Sequence, residues 1–241
     1  MTNSSNNAPV LITGVGKRVG LYLAQQLMAR GVPVIGTFRT EYPEVIELAE
    51  QGADLYCVDF YQDADIQAFV EAVRGRYPSL RAIIHNASDW LKDDALNSPG
   101  EVMARMMQVH VSVPYQLNLA LQDKLAGEGI GEADIIHLSD YVAAKGSKKH
   151  IAYAASKAAL DNLTLSFAAR FAPDIKVNSI APALVCFNPW DDDAYKQKAL
   201  AKAVLPREGG MEEVLATVDY LMGSRYVTGR IMALDGGRHL K

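Results

Sequence analysis

Residues 10–20 read VLITGVGKRVG, and the passage from apolar run through glycine-rich turn into a helix decides what the rest of the chain builds. Val10–Thr13 is continuously apolar rather than alternating, as a strand covered on both faces of a parallel sheet should be. Lys17–Arg30 then takes up helical spacing, which leaves Thr13-Gly-Val-Gly-Lys-Arg-Val-Gly20 between a buried strand and a helix N-terminus. Glycines in that position let backbone approach a pyrophosphate, and the helix start offers unpaired N–H groups and the positive end of a dipole. The general fingerprint GxGxxG is not met, because Val19 stands where its third glycine belongs. An ordinary tight βα turn is the other reading of the same residues.

Outward from this turn, apolar runs at Val32–Phe38, Ala53–Val58, Ala82–His85, Asp134–Leu138, Lys176–Ile180 and Arg230–Leu234 read as further strands. Helical spacing covers Asp63–Tyr77, Glu101–Leu125, Ala152–Phe171 and Met211–Met222, with Pro114 expected to bend or split the second of these. This alternation predicts an α/β chain with one Rossmann-type, doubly wound parallel sheet over residues 9–241 and no second domain. Residues 1–8 read as a disordered polar tail. The least regular interior stretch, 183–207, is a candidate substrate lid, with Trp190 and Asp191–Asp193 as its solvated part.

The bulk numbers exclude several classes. With 241 residues and 49% hydrophobic composition the chain can bury a sizeable core. A net charge of −4 argues against a general nucleic-acid or membrane-surface binder. Cys57 and Cys186 fit no metal-ligand spacing and read as reduced thiols of a cytoplasmic protein, Cys186 as an inert one. The start MTNSSNNAP has neither the basic residues nor the apolar run of a signal peptide. No apolar stretch approaches the roughly 18 residues of a membrane span.

Two groups of residues carry chemistry. At the end of the second strand, where an acid would hold the ribose of NAD, the sequence is Phe38-Arg39-Thr40. Arg39, with Lys17 and Arg18 at the mouth of the turn, suits a 2′-phosphate and points to NADP(H). A solvated arginine is the plainer account of Arg39. Asp59 is placed to accept from an adenine amino group, or else to cap a helix. In Tyr153-Ala-Ala-Ser-Lys157 a phenol and an ammonium share one helix face, and the cation is expected to pull the phenol from about 10 toward neutrality. Ile135–Asp140 delivers polar residues to the C-terminal end of a buried strand, where open α/β sheets bind ligands.

Taken together, Thr13-Gly14 with Gly20, His85-Asn86-Ala87, Tyr153 with Lys157, Asn178 and Asp235-Gly236-Gly237 resemble the short-chain dehydrogenase/reductase family over residues 9–238. The resemblance implies a seven-stranded parallel sheet, hydride transfer from a nicotinamide cofactor and a homotetramer. It also implies cofactor contacts from Gly14, Lys17, Arg18, Val19, Arg39, Thr40, Asp59, Phe60, Asn86, Ala87, Ser88, Tyr153, Lys157 and Pro182.

The departures narrow it. The family's catalytic serine falls thirteen residues before Tyr153, at Asp140, while Ser139 points to the other face and reads as structural. Arg18 replaces the second glycine of the turn. Both features look like the pteridine reductase branch, in which Trp90 would stack on a pterin ring. The implied catalytic set is Asp140, Tyr153 and Lys157, and the implied substrate contacts are Arg18, Ser88, Trp90, Asp140 and Tyr153. The implied reaction is NADPH reduction of a 7,8-dihydropterin, dihydromonapterin foremost and dihydrofolate second, with hydride to C6 and a proton to N5.

Each residue keeps a plainer reading: Trp90 as a core plug, Asp140 as a turn cap, His137 as a core histidine. His110 stands where the family's asparagine holds a water chain to the lysine, and Ala183 where a glycine usually follows Pro182. Two other functions remain open at this point. One is a carbonyl or 3-oxoacyl thioester reductase of the same family. The other is a catalytically silent NADP-binding regulatory protein.

Overall fold

The structure is a computed structural model that describes residues 8–93, 98–125 and 131–241. Seven strands form one parallel sheet in the order β3-β2-β1-β4-β5-β6-β7. They are β1 (Val10–Thr13), β2 (Val34–Phe38), β3 (Asp54–Cys57), β4 (Ala82–His85), β5 (Ala133–Leu138), β6 (Ile175–Pro182) and β7 (Ile231–Leu234). The helices are α1 (Arg18–Ala29), α2 (Pro43–Glu50), α3 (Asp63–Arg76), α4 (Pro99–Met107), α5 (Val113–Leu121), α6 (Val142–Lys145), α7 (Ile151–Phe171), α8 (Asp193–Leu200) and α9 (Met211–Gly223).

The unbroken apolar runs follow from two covering layers. Leu11, Ile35, Ile83, Ile135 and Val177 face Phe69 of α3, Leu117 of α5 and Phe167 of α7. Their strand neighbours Val10, Ile12, Ile84, Ile136 and Ile180 face Leu23 and Leu27 of α1 and Val218 and Leu221 of α9. Across the sheet, Thr13, His85, His137 and Ser179 stand in one register. This row of buried polar side chains lies at or near the C-terminal ends of the strands.

Four elements differ from the sequence reading, one of them the four-residue α6, which is too short for periodicity to mark. The helix expected over Glu101–Leu125 is split into α4 and α5 by a π-helical turn at Gln108–Ser112, just ahead of Pro114, which has no N–H to donate. The short helix α2 was not expected; it buries only Val45 and Leu48, too narrow a stripe for periodicity to reveal. Inside 183–207, α8 starts on Asp192, whose side chain accepts from the Tyr195 N–H at 2.7 Å. Of the expected tail, residues 1–7 lie outside the described residues. Among the described residues no helix is long and apolar enough to cross a membrane.

One ionic cluster was not anticipated. Asp134, fully buried on β5, accepts from Lys176 Nζ and from Arg81, each at 2.6 Å. The two cations also donate to the carbonyls of Leu221 and Met222 at the end of α9. Burial raises the Asp134 carboxyl against the pull of Lys176 and Arg81, so the carboxylate depends on both cations being present. Asp134→Ala is expected to cost about 3–5 kcal/mol in urea unfolding, because it strands a buried ammonium.

Candidate active site

The turn after β1 is stitched to the end of β4. The Thr13 hydroxyl oxygen accepts from the N–H groups of Asn86 and Ala87, each at 3.0 Å. The Asn86 amide donates to the carbonyls of Thr13 at 3.1 Å and Gly14 at 2.8 Å. Gly14 has φ +75, and a Cβ there would lie 2.8 Å from the Ala87 Cα. At Gly20 a Cβ would collide with the Gly14 carbonyl and the Asn86 amide. No side chain caps α1, so the N–H groups of its first turn face the glycine cradle unpaired. Cradle and helix start together fit the diphosphate of a dinucleotide.

Arg18 is a non-glycine residue in the left-handed region, at φ +55, which costs about 1–2 kcal/mol. Its guanidinium reaches across to the 183–207 segment. There it donates to the Cys186 carbonyl at 3.0 Å, to Cys186 Sγ at 3.2 Å and to Asn188 Oδ1. Lys17, Arg39 and Thr40 are exposed beside the turn, and Val19 is half-buried. Arg39 lies 3.8 Å from Asp89, whose carboxylate also accepts from Tyr61 at 2.9 Å and Arg105 at 3.1 Å. The Asp89–Tyr61–Arg105 group escaped the sequence reading, since nothing in its spacing marks it. Asp59 accepts from the Tyr61 N–H at 3.1 Å, and so caps a turn rather than α3. Phe60 places its side chain in the core, leaving only backbone to meet a ligand.

The proton-bearing residues meet at the ends of β5 and α7. Tyr153 donates to Asp140 Oδ2 at 2.9 Å, and Asp140 Oδ1 accepts from the Val142 N–H at 2.8 Å. Lys157 is buried and donates to the Leu138 carbonyl at 2.7 Å, with its Nζ 5.6 Å from the Tyr153 ring centre. Ser139 is buried beside them, 3.4 Å from the Lys157 carbonyl, in the structural place expected of it.

The electrostatics correct one expectation. Burial and the neighbouring Asp140 hold the Tyr153 phenol well above its ordinary value, instead of Lys157 drawing it toward neutrality. The cation itself is pushed down to about 8 by burial, against the pull of Asp140 and Asp161. Burial raises Asp140, countered by the Val142 N–H and the Tyr153 hydroxyl. The site therefore holds a neutral phenol bonded to a carboxyl group that is itself easy to protonate.

His110 sits in the π-helical turn and does not hydrogen-bond Lys157. It is bonded to Ser88 Oγ at 2.7 Å and Ser156 Oγ at 2.8 Å. Trp90 is 60% exposed, which rules out the core-plug reading, and one face of its indole stacks on His150 at 4.0 Å between ring centres. Pro182 accepts from the Tyr141 N–H at 3.0 Å, and the Ala183 N–H is committed to Leu234 at 3.0 Å. His150, Ser156 and Asp161 were not expected. Asp161, four residues past Lys157, could have been found as the next residue on the same helix face. A separate cavity of about 340 Å³ lies between the 183–209 segment and the Asp235–Arg238 turn; Tyr153 does not line it.

A family model described as enoyl-(acyl carrier protein) reductase matches residues 14–239. The chain belongs to the short-chain dehydrogenase/reductase family. Within it, the chain is 52% identical over 233 residues to a dihydromonapterin reductase of Klebsiella pneumoniae, covering 97% of each. It is 50% identical, over the same 97% of each chain, to a dihydromonapterin reductase of Citrobacter koseri. Among solved structures it is similar to the FolM alternative dihydrofolate reductase 1 of Brucella suis in complex with NADP. That match has a TM-score of 0.87 at 27% identity, covering 98% of this chain and 97% of the other. The turn in this short-chain reductase gives a direct test. In most helix interiors Gly→Ala stabilises by about 1 kcal/mol. Here Gly20→Ala is expected to destabilise by about 1–3 kcal/mol in urea unfolding, because the methyl group overlaps the Gly14 carbonyl.

Proposed function

We propose that this protein reduces a 7,8-dihydropterin, dihydromonapterin foremost, with NADPH as the electron source, and accepts dihydrofolate as a second substrate. The observation that carries the reading is the Tyr153–Asp140 hydrogen bond at the place where the family has a serine. A serine there would donate a hydroxyl hydrogen to a substrate carbonyl, whereas this carboxyl group accepts one from the phenol. That arrangement suits a C=N bond, whose nitrogen must gain a proton as hydride reaches the adjoining carbon. Whole-length identity of about one half to dihydromonapterin reductases supports the same assignment, as does the NADP named with the FolM structures.

The residues divide the work as follows. The start of α1 with Gly14 and Gly20 holds the diphosphate, and Arg39 with Lys17 meets the 2′-phosphate. Lys157 holds the ribose hydroxyls next to the nicotinamide. Bound NADPH supplies the hydride that arrives at C6. Asp140 and Tyr153 hold the proton destined for N5, in a buried pair where burial keeps both groups ready to carry it. Trp90 stacks its open face on the pterin, backed by His150. Segment 183–207 closes over the substrate, tied to the cofactor turn through Arg18. The family resemblance adds a homotetramer, and the two cysteines, read as reduced thiols, suit the cytoplasm.

The reading is tested by following NADPH oxidation with dihydromonapterin, dihydrobiopterin, dihydrofolate and an acetoacetyl thioester. Dihydropterins should have the highest kcat/KM; turnover of the thioester alone would make the chain a carbonyl reductase. Tyr153→Phe should lower kcat by about 10²–10⁴-fold while still binding NADPH. If that variant kept full cellular function, a silent NADP-binding role would replace the enzyme. With Lys157 at about 8, kcat/KM for NADPH should be flat below that pH and fall above it as the ammonium is lost. In Lys157→Arg the falling limb should disappear from the accessible range.

A further inference from the structure

The hydrogens around His110 can be counted from the groups that have no choice. Ser156 Oγ donates to the Tyr153 carbonyl at 2.8 Å, since a carbonyl can only accept. Ser156 has one hydrogen, so its contact with His110 Nδ1 at 2.8 Å must run the other way, from Nδ1–H to the oxygen. On the opposite side of the ring the Asp89 N–H, which can only donate, points at His110 Nε2 from 3.4 Å. Both ends agree: Nδ1 carries the proton and Nε2 carries a lone pair. Ser88 Oγ, 2.7 Å from that lone pair, therefore gives its hydrogen to His110. Burial and the nearby Lys157 keep the imidazole neutral, which holds this pattern across the working pH range.

The consequence reaches the substrate. Ser88 and Tyr153 share His110 as a neighbour: the imidazole is bonded to Ser88 Oγ at 2.7 Å and packs edge-on against the Tyr153 ring, 5.3 Å between centres, which places the serine oxygen beside the phenol. Its other acceptor, the Asp89 carbonyl, is farther off at 3.4 Å, so the hydrogen is committed to His110 at 2.7 Å and Ser88 presents its lone pairs to the pocket. We propose that His110 is a positioning residue that locks Ser88 as a hydrogen-bond acceptor, so that the pocket selects a substrate with ring N–H donors apart from the C=N bond being reduced, as a dihydropterin has at N8 and N3, over one that offers a bare carbonyl. This rests on the dihydropterin reading above and identifies what enforces it. It also gives His110 a different task from the asparagine it replaces, because its contacts lead to Ser88 and not to Lys157.

Two measurements test it. In protein labelled with ¹⁵N-histidine, His110 should show a protonated Nδ1 and an unprotonated Nε2, and Ser88→Ala should shift the Nε2 signal more than Nδ1. In kinetics, Ser88→Ala and His110→Asn should each lower kcat/KM for the dihydropterin by about tenfold, mainly through KM. The double variant should lose no more than either single one, since both remove the same interaction. His110→Gln, whose side-chain oxygen reaches the position of Nε2, should recover most of the loss. A protonated Nε2, or a double variant that loses about a hundredfold, would overturn the assignment. If the unaltered protein turned over no dihydropterin, the substrate reading and the selection would fall together, and the ¹⁵N spectrum would still decide the His110–Ser88 contact.

Discussion

Burial of polar groups at the C-terminal ends of strands covered on both faces is the constraint from which the site follows. Thr13, His85, His137 and Ser179 stand in one row across four strands with no access to water. Each of their donors and acceptors must find a partner inside the protein or carry a desolvation cost of about 1–3 kcal/mol. The Thr13 hydroxyl meets this by taking two backbone N–H groups of β4's exit, and Asn86 by donating to two carbonyls of β1's exit. The same bonds that satisfy buried groups shape the glycine turn. The cradle is thus a by-product of polar satisfaction in a sheet covered on both faces.

The same constraint sets the charges. Removed from water, Tyr153 and Asp140 are both harder to ionise, and Lys157 gives up its proton more readily. A phenol shifted toward neutrality by a cation would have been a different catalyst, acting as its own acid. In the proposed reaction the acid is a pair: the phenol contributes a hydrogen to the carboxyl, and the carboxyl's raised affinity for protons lets the pair hold one without a full charge. The replacement of serine by aspartate at position 140 therefore changes the proton inventory of the site and not only its shape.

How much of this was legible in the sequence depended on range. Strand runs and the main helices declare themselves because apolar periodicity is local, and Asp140, Tyr153 and Lys157 are linked by spacing along one strand end and one helix. The helices α2 and α8 left little trace, since they bury two side chains and one, respectively. The ionic cluster on Asp134 joins residues 81, 134 and 176, which only the strand order brings together. His110 could be recognised as a departure, but its partners Ser88 and Ser156 come from β4's exit and from α7. The lowered phenol was misread because spacing shows the cation, while the burial that outweighs it belongs to the folded state.

Counting hydrogens one layer deeper shows how far the constraint extends. Thr164 donates to the Leu160 carbonyl at 3.1 Å, so it accepts from His137 Nδ1 at 2.8 Å. His137 Nε2 is then an acceptor and takes an amide hydrogen of Asn118 at 3.3 Å, which fixes the orientation of that amide. The Asn118 oxygen must accept from His85 Nε2–H at 2.7 Å. His85 Nδ1 is left with a bare lone pair and has no protein partner among the described residues. A protonated His85 would need an acceptor at that nitrogen, and desolvation pushes its pKa down to about 4 in any case. The core beneath the cofactor turn is therefore a chain of neutral dipoles with one direction, running from His85 on β4 to Thr164 on α7. Reversing any member would break two hydrogen bonds in a region with no water to replace them, which makes the chain a rigid support for the Asn86 turn above it.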